Sequence, residues 1–133
     1  MPLTVDIVSP ERVLYTGDGD MVVCRTSEGE IAFLPGHVPF LGALGIGVVR
    51  ILLPQQGEQA AAVHGGFVEV ANDRVIVLSD VAELADQIDV DRARRARERA
   101  EGRLAADPED QDAQAALLRA TTRLEVAGAV EHA

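Results

Sequence analysis

Arginines at helical spacing carry the most chemical potential in this chain. Six of its twelve basic residues lie within Ile88 to Arg103, which reads IDVDRARRARERAEGR. At 3.6 residues per turn, Arg92, Arg95, Arg99 and Arg103 fall three or four apart on one stripe, with Ala93, Ala96, Ala100 and Leu104 on the stripe beside it. Arg119 and Arg123 repeat the i, i+4 spacing further on. An antiparallel pair of helices would bring them near Arg92 and Arg99. Converging guanidinium groups suit a polyphosphate or a carboxylate-rich protein surface, which their planar forks match. The competing reading is a solvated helix, because Glu98 and Glu101 stand three or four residues from Arg94, Arg95 and Arg97 and would offset their charge.

No catalytic set is visible. His37, His64 and His132 are scattered and read as turn, strand and tail residues, and neither a GxSxG nor an HExxH pattern occurs. Cys24 sits in an apolar run without a partner cysteine, which predicts a buried, inert thiol and a reducing setting. Gly17-Asp18-Gly19-Asp20 has acids but lacks the alternating ligands and terminal Glu of a calcium loop, so it reads as a β-turn. Gly65-Gly66 lacks the following helix that would hold a phosphate and reads as a bulge or a close strand approach.

The elements that must position the arginines follow from length and pattern. A chain of 133 residues suits one compact domain with a small appendage. Its formal net charge of -10 argues against nucleic acid or an anionic membrane as the main partner. Lysine is absent, which GC-rich codon usage explains. The N-terminus MPLTVDIVSPERV has no basic n-region and carries Asp6 in its apolar stretch, so no signal peptide is expected. Val38 to Leu53 is interrupted by Gly42, Gly45, Gly47 and Arg50 and falls short of a bilayer span of about 20 residues. Membrane association would therefore pass through a protein partner, without direct insertion.

Residues 3–79 alternate short apolar segments with turn residues, the form of an antiparallel β module. The expected strands are Leu3–Val8, Val13–Tyr15, Met21–Thr26, Glu30–Leu34, Phe40–Leu44, Val48–Leu53, Ala60–His64, Phe67–Ala71 and Val75–Ser79. Leu3, Val5 and Ile7 face inward, with Thr4 and Asp6 toward water. Asn72-Asp73 marks a hairpin. Beyond Ser79, Ala, Glu, Asp and Arg dominate. One helix is expected from about Val90 to Ala105 and a second from about Pro108 to Val126, the latter capped by Asp107 with proline at its first position. Their seam would be mostly alanine. A buried methyl contributes only about 0.8 kcal/mol, and Gly102 costs the first helix roughly 1 kcal/mol relative to Ala. Such a hairpin can undock, and a mobile element carrying arginines can act as a switch.

Two motifs carry a family resemblance. Glu28-Gly29-Glu30-Ile31-Ala32-Phe33-Leu34-Pro35-Gly36-His37-Val38-Pro39 closely resembles the loop and strand of the epsilon subunit of bacterial F-type ATP synthase, and Gly65-Gly66-Phe67-Val68-Glu69-Val70 resembles its second signature. Nearly the whole chain takes part, with Ala32 standing where the family commonly has Gly. The resemblance implies an α+β fold: an N-terminal antiparallel β-sandwich of about ten strands over residues 1–83, then a C-terminal antiparallel two-helix hairpin over 84–133.

It also implies a non-catalytic rotor subunit of a proton-translocating synthase, peripheral at the cytoplasmic face of the bacterial cell membrane. Its sandwich would join the gamma subunit to the membrane c-ring, with Glu30, Pro35, Gly36 and His37 as contacts. Its hairpin would fold against the sandwich or extend along gamma toward the beta subunits and inhibit ATP hydrolysis. Some similar epsilon subunits bind ATP through I/L-D-x-x-R-A. Ile88, Asp89, Arg92 and Ala93 match this segment, and Glu83, Arg99, Arg119 and Arg123 match other positions of that site. ATP would act as a regulatory ligand of the folded hairpin; whether magnesium accompanies it is open. Asp91 and Gly102 depart from the family pattern. Alternatives outside the rotor are a free-standing ATP-sensing module and a small β-sandwich enzyme.

Overall fold

Leu3, Val5 and Ile7 are fully buried, and the strand that carries them lies next to the edge of one folded sheet. The computed structural model describes residues 2–26, 28–55 and 57–128. The strands are β1 (Leu3–Val8), β2 (Val13–Gly19), β3 (Met21–Thr26), β4 (Gly29–Phe33), β5 (Phe40–Leu52), β6 (Glu58–Ala71), β7 (Arg74–Leu78) and β8 (Ala82–Leu84). A 3-10 turn (Ala85–Gln87) leads into α1 (Val90–Ala106) and α2 (Gln111–Val126). The strand order is β2-β1-β7-β6-β5-β3-β4, with β8 on β6. Pairing is antiparallel as expected, except that β1 and β7 run parallel.

Four expected strands merge into two. β5 and β6 have 13 and 14 residues and pair from Phe40 with Val70 to Leu52 with Glu58. The first half of β6 pairs with β8 and its second half with β7, so the sheet folds over itself around Gly65-Gly66. Split at this fold, the eight continuous strands give the about ten expected of such a sandwich. Gly66 has a φ of 124°, and a Cβ there would lie 2.1 Å from the Leu78 carbonyl oxygen. This is the close strand approach read from the sequence.

The expected turn at Gly17–Asp20 is instead mostly strand. Gly17 pairs with Val5 and Gly19 with Leu3, and a Cβ on Gly19 would meet Ile51 Cγ2 at 2.8 Å. Packing clearance, not chain reversal, requires this glycine. Asn72 and Asp73 form the expected hairpin turn, with φ of 53° and 60°, as a type I′ turn demands. Ala32 has no positive φ, so it fits the strand without strain.

The core gathers Val22, Cys24, Phe33, Val49, Ile51, Val63, Val68, Val70, Val75 and Val77 around the β1 side chains. Fully burying each such aliphatic side chain contributes about 1.5–3 kcal/mol. Burial pushes the Cys24 thiol up to about 12, which keeps it unreactive. Asp6 does not face water as its alternation suggested. It is 8% exposed, accepting from Thr16 Oγ1 at 2.6 Å and from Arg74 Nη2 at 2.7 Å. The Thr16 hydroxyl, opposed by burial and helped by Arg74, holds its carboxyl below the usual range.

The helices form the expected antiparallel hairpin, with Ala93, Ala100, Ala113, Ala120 and Leu124 buried. The cap of α2 is Asp110, not Asp107. Asp110 accepts from the Ala113 amide at 3.0 Å and is gripped by Arg103 through Nε and Nη2. Asp107 instead closes α1, and its side chain accepts from the Glu109 amide at 3.1 Å. The proline therefore sits in the connection, ahead of the helix. Among the described residues, no helix is long and apolar enough to cross a membrane.

Candidate functional site

The arginine stripe of α1 faces α2 and the strand-β8 side of the sandwich across a groove of about 530 Å³. Arg92, Arg99 and Arg103 enter it from α1, Arg119 and Arg123 from α2, and Glu83 from β8. Ala93, Ala96, Ala100 and Ala116 give it a flat apolar wall, with Gln87 and Asp89 at one end. Arg103 is committed to Asp110 at 3.0 Å and Arg123 to Glu83 at 2.6 Å. Arg92, Arg99 and Arg119 have no ion-pair partner among the described residues. The groove thus offers three unneutralised guanidinium groups and a carboxylate beside an apolar wall. That combination suits a polyanion joined to a flat, hydroxyl- or amino-bearing ring system.

Local chemistry sets this arrangement. Asp89 caps α1 by accepting from the Arg92 amide at 3.1 Å, which starts the helix where Arg92, Arg99 and Arg103 share one face. Glu83 accepts through Oε1 from both Arg123 Nε at 2.6 Å and His64 Nε2 at 3.2 Å, leaving Oε2 for a bound donor.

Glu83, Asp89, Arg92, Ala93, Arg99, Arg119 and Arg123 all line this groove. Ile88 does not. It is buried with Ala62 of β6 and Val126 of α2, and Val48, Ala60 and Ala127 pack around them, so it anchors the hairpin on the sandwich. Arg50 of β5 adds ion pairs to Glu125 of α2 and, at 2.9 Å, to Glu58. The intrahelical pairs proposed for Glu98 and Glu101 do not form: neither carboxylate reaches Arg94, Arg95 or Arg97 within ion-pair distance.

Helical spacing put Arg103 on the arginine stripe, though not among the residues expected to bind, and the groove includes it; Arg95, expected on the same stripe, does not line the groove, and Gln87 was passed over. So was His64, whose partners lie on β8 and α2. Its side chain is 4% exposed. Burial chiefly, then Arg123, holds its imidazole below the usual histidine range, against the pull of Glu83. His132 lies outside the described residues.

The expected rotor contacts separate into two places. Glu30 is exposed at the start of β4 and lines a smaller groove of about 240 Å³ with Arg25, Arg50 and Thr121. Pro35 and Gly36 are exposed in the turn after β4, where the Gly36 amide donates to Asp73 Oδ1 at 2.7 Å. His37 packs edge-on against Phe33 with ring centroids 5.0 Å apart. Nearby on the outer face of the sheet, Leu41 is 70% and Phe67 55% exposed, and Phe67 pairs with the exposed Leu78. Leu41, Phe67 and Leu78 thus leave apolar side chains facing solvent on this face.

A β-sandwich carrying a helical hairpin, with an arginine-lined groove between the two, defines a two-part protein. Residues 2–85 match the family described as ATP synthase, Delta/Epsilon chain, beta-sandwich domain, and residues 86–128 match ATP synthase, Delta/Epsilon chain, long alpha-helix domain. The chain belongs to the ATP synthase epsilon-chain family. It is 50% identical to the ATP synthase epsilon chain of Thermobifida fusca, over 98% of this chain and 96% of that one. It is 45% identical to the ATP synthase epsilon chain of Streptomyces griseus, over 92% of each. A chain in the Euglena gracilis mitochondrial ATP synthase OSCP/F1/c-ring structure shares the fold, with a TM-score of 0.70 at 19% identity over 96% of this chain and 78% of that one. A chain of the Tetrahymena thermophila mitochondrial ATP synthase central stalk/c-ring structure aligns with a TM-score of 0.53 at 16% identity, over 71% of each.

Proposed function

We propose that this chain is a non-catalytic central-stalk subunit of a proton-translocating F-type ATP synthase, and that ATP in the arginine groove holds its inhibitory hairpin docked. The sandwich joins gamma to the c-ring, placing the subunit peripherally at the cytoplasmic face of the bacterial membrane. The exposed apolar face around Leu41 and Phe67 suits the gamma contact. The turn at Pro35–His37 and the carboxylate of Glu30 remain the candidates for the ring and stalk.

One observation carries the regulatory reading: the groove is built from α1, α2 and β8 together. A ligand held by Glu83, Arg92 and Arg119 at once exists only while the hairpin is docked, so binding shifts the equilibrium toward that state. Arg92, Arg99 and Arg119 neutralise the phosphates, and Glu83 Oε2 accepts from an adenine amino group or a ribose hydroxyl. Undocked, the hairpin presents Arg119 and Arg123 to acidic segments of the beta subunits. Titration of the isolated subunit with ATP tests the groove. Arg92→Ala and Arg119→Ala each lose at least tenfold in affinity, while Arg94→Ala, on the exposed face of α1, does not. Equal binding by all variants removes the site.

A further inference from the structure

We propose that His64 is a positioning residue that ties docking of the hairpin to proton concentration, holding Glu83 for Arg123 only while its imidazole is neutral. The proposal rests on the reading that the hairpin leaves the sandwich.

His64 lies on β6 immediately before the fold at Gly65-Gly66. Its Nε2 is 3.2 Å from the Glu83 oxygen that also receives Arg123, and its Nδ1 is buried with no partner. This geometry selects one tautomer. With the proton on Nε2, the ring donates to Glu83 and Nδ1 keeps a bare lone pair. Protonation would place a second N–H in a pocket with no acceptor, which is costly for a buried donor. It would also add a cation beside the two guanidinium groups of α2 that face this site, Arg119 and Arg123, with Glu83 on β8 the single carboxylate among these neighbours. An imidazolium would compete with Arg123 for that carboxylate.

Departure of α2 removes Arg119 and Arg123 and opens the ring to water. The undocked state then takes up a proton more readily than the docked one. Burial and Arg123 hold the docked imidazole below its ordinary value of 6.5. Docking is therefore strongest above that value and weakens as pH falls through it toward the lowered docked value. For one proton, the docking constant changes by at most about tenfold per pH unit. Acidification on the side of the membrane where the subunit resides would release the hairpin.

The test places spin labels at the exposed residues Asp18 and Gln111 of the full chain and follows the docked fraction from pH 8 to 5.5. Cys24 is fully buried and does not compete for label. Wild type loses docking below about pH 6.5. His64→Gln puts an amide donor near the Nε2 position and keeps docking without the pH dependence. Arg119→Gln leaves the sandwich untouched, removes one cation opposing protonation, and makes the dependence shallower than wild type. A His64→Gln profile parallel to wild type overturns the proposal, as does a flat wild-type profile. Arg50→Glu, which sets like charges against Glu58 and Glu125, separates the two readings. If it opens the hairpin while pH does not, the mobile hairpin stands and the role of His64 falls. If neither opens it, both fall.

Discussion

Arg123 on α2 donates from Nε to Glu83 Oε1 on β8 at 2.6 Å, across 40 residues of sequence, with both side chains only partly exposed. This bond fastens the hairpin to the sandwich at the edge of the arginine groove. The apolar part of the same joint is small, consisting of Ile88, Val126 and Ala62 with their neighbours. A polar bond of this kind is then a sizeable share of what holds α2 in place. Arg123→Gln and Glu83→Gln each weaken docking by about 1 kcal/mol, a charge-assisted bond discounted for solvent access. In a double-mutant cycle read from α2 hydrogen exchange, the double variant weakens docking little beyond either single one. Additive losses would mean that the two residues act separately.

Gly102 lies inside α1 without a packing reason. A Cβ placed there meets nothing within 4 Å, and the residue is exposed with helical φ. Gly102→Ala therefore stabilises α1 by about 1 kcal/mol through the unfolded chain and the helix backbone. Slower amide exchange along α1 is the expected reading; unchanged or faster exchange refutes it.

The parts of this architecture that were legible in the sequence depend on neighbours within a few residues. Leu3, Val5 and Ile7 reveal their strand by alternation, and Asn72-Asp73 its turn by the left-handed conformation both tolerate. The arginine groove was legible because helical spacing carries Arg92 to Arg99 and Arg119 to Arg123. Gly17, Gly19, Gly45 and Gly65 misled, since a glycine inside a long strand looks like one that ends it; Gly19 is there for clearance from Ile51, whereas a Cβ on Gly45 would meet nothing within 4 Å. β8 was missed because three residues, Ala82–Leu84, are too few to show a period. Asp107 and Asp110 are equally good caps by type; only the grip of Arg103 on Asp110 distinguishes them. The partners of His64 lie 19 and more residues away, so no local pattern exposes it.

Asp6 makes part of the sandwich's stability dependent on acid. Its carboxyl is held below its ordinary 3.8, first by the Thr16 hydroxyl and, against burial, by Arg74. The native state therefore stays ionised where the unfolded chain has taken up a proton. The resulting stability is complete above the ordinary value and is lost as pH falls through the lowered one. Thr16→Val removes the largest cause, so acid unfolding of the variant, followed by circular dichroism, starts at a higher pH than in wild type while stability at pH 7 falls. Identical acid transitions would show that the Thr16 bond contributes nothing.

The outer face of the sheet predicts where gamma binds. Leu41 and Phe67 are 70% and 55% exposed and lie on adjacent strands, away from the groove. Leu41→Glu or Phe67→Glu puts a charge on that face without touching the core. Each is expected to reduce capture of gamma in a pull-down by at least tenfold, because a desolvated, unpaired carboxylate costs several kcal/mol. ATP binding by the isolated variants stays at the wild-type level. Normal capture of gamma would place its contact elsewhere.

Inhibition is tested by removing the hairpin at the right residue. A cut directly after Ser79 would strip β8, which pairs Glu83 with Ala62 and covers the first half of β6. It would also take away the carboxylate that His64 bonds. Ending the chain after Gln87 preserves that pairing while deleting every arginine of the groove. The shortened chain is expected to assemble with gamma through its intact outer face, and the complex to hydrolyse ATP faster than one carrying the full chain. Its hydrolysis rate should also lose any dependence on the ATP that the groove would bind. An assembled complex whose hydrolysis matches the full-length one would show that the hairpin does not restrain the motor. Failure to assemble would shift the gamma contact from the sandwich to the helices, against the prediction from Leu41 and Phe67.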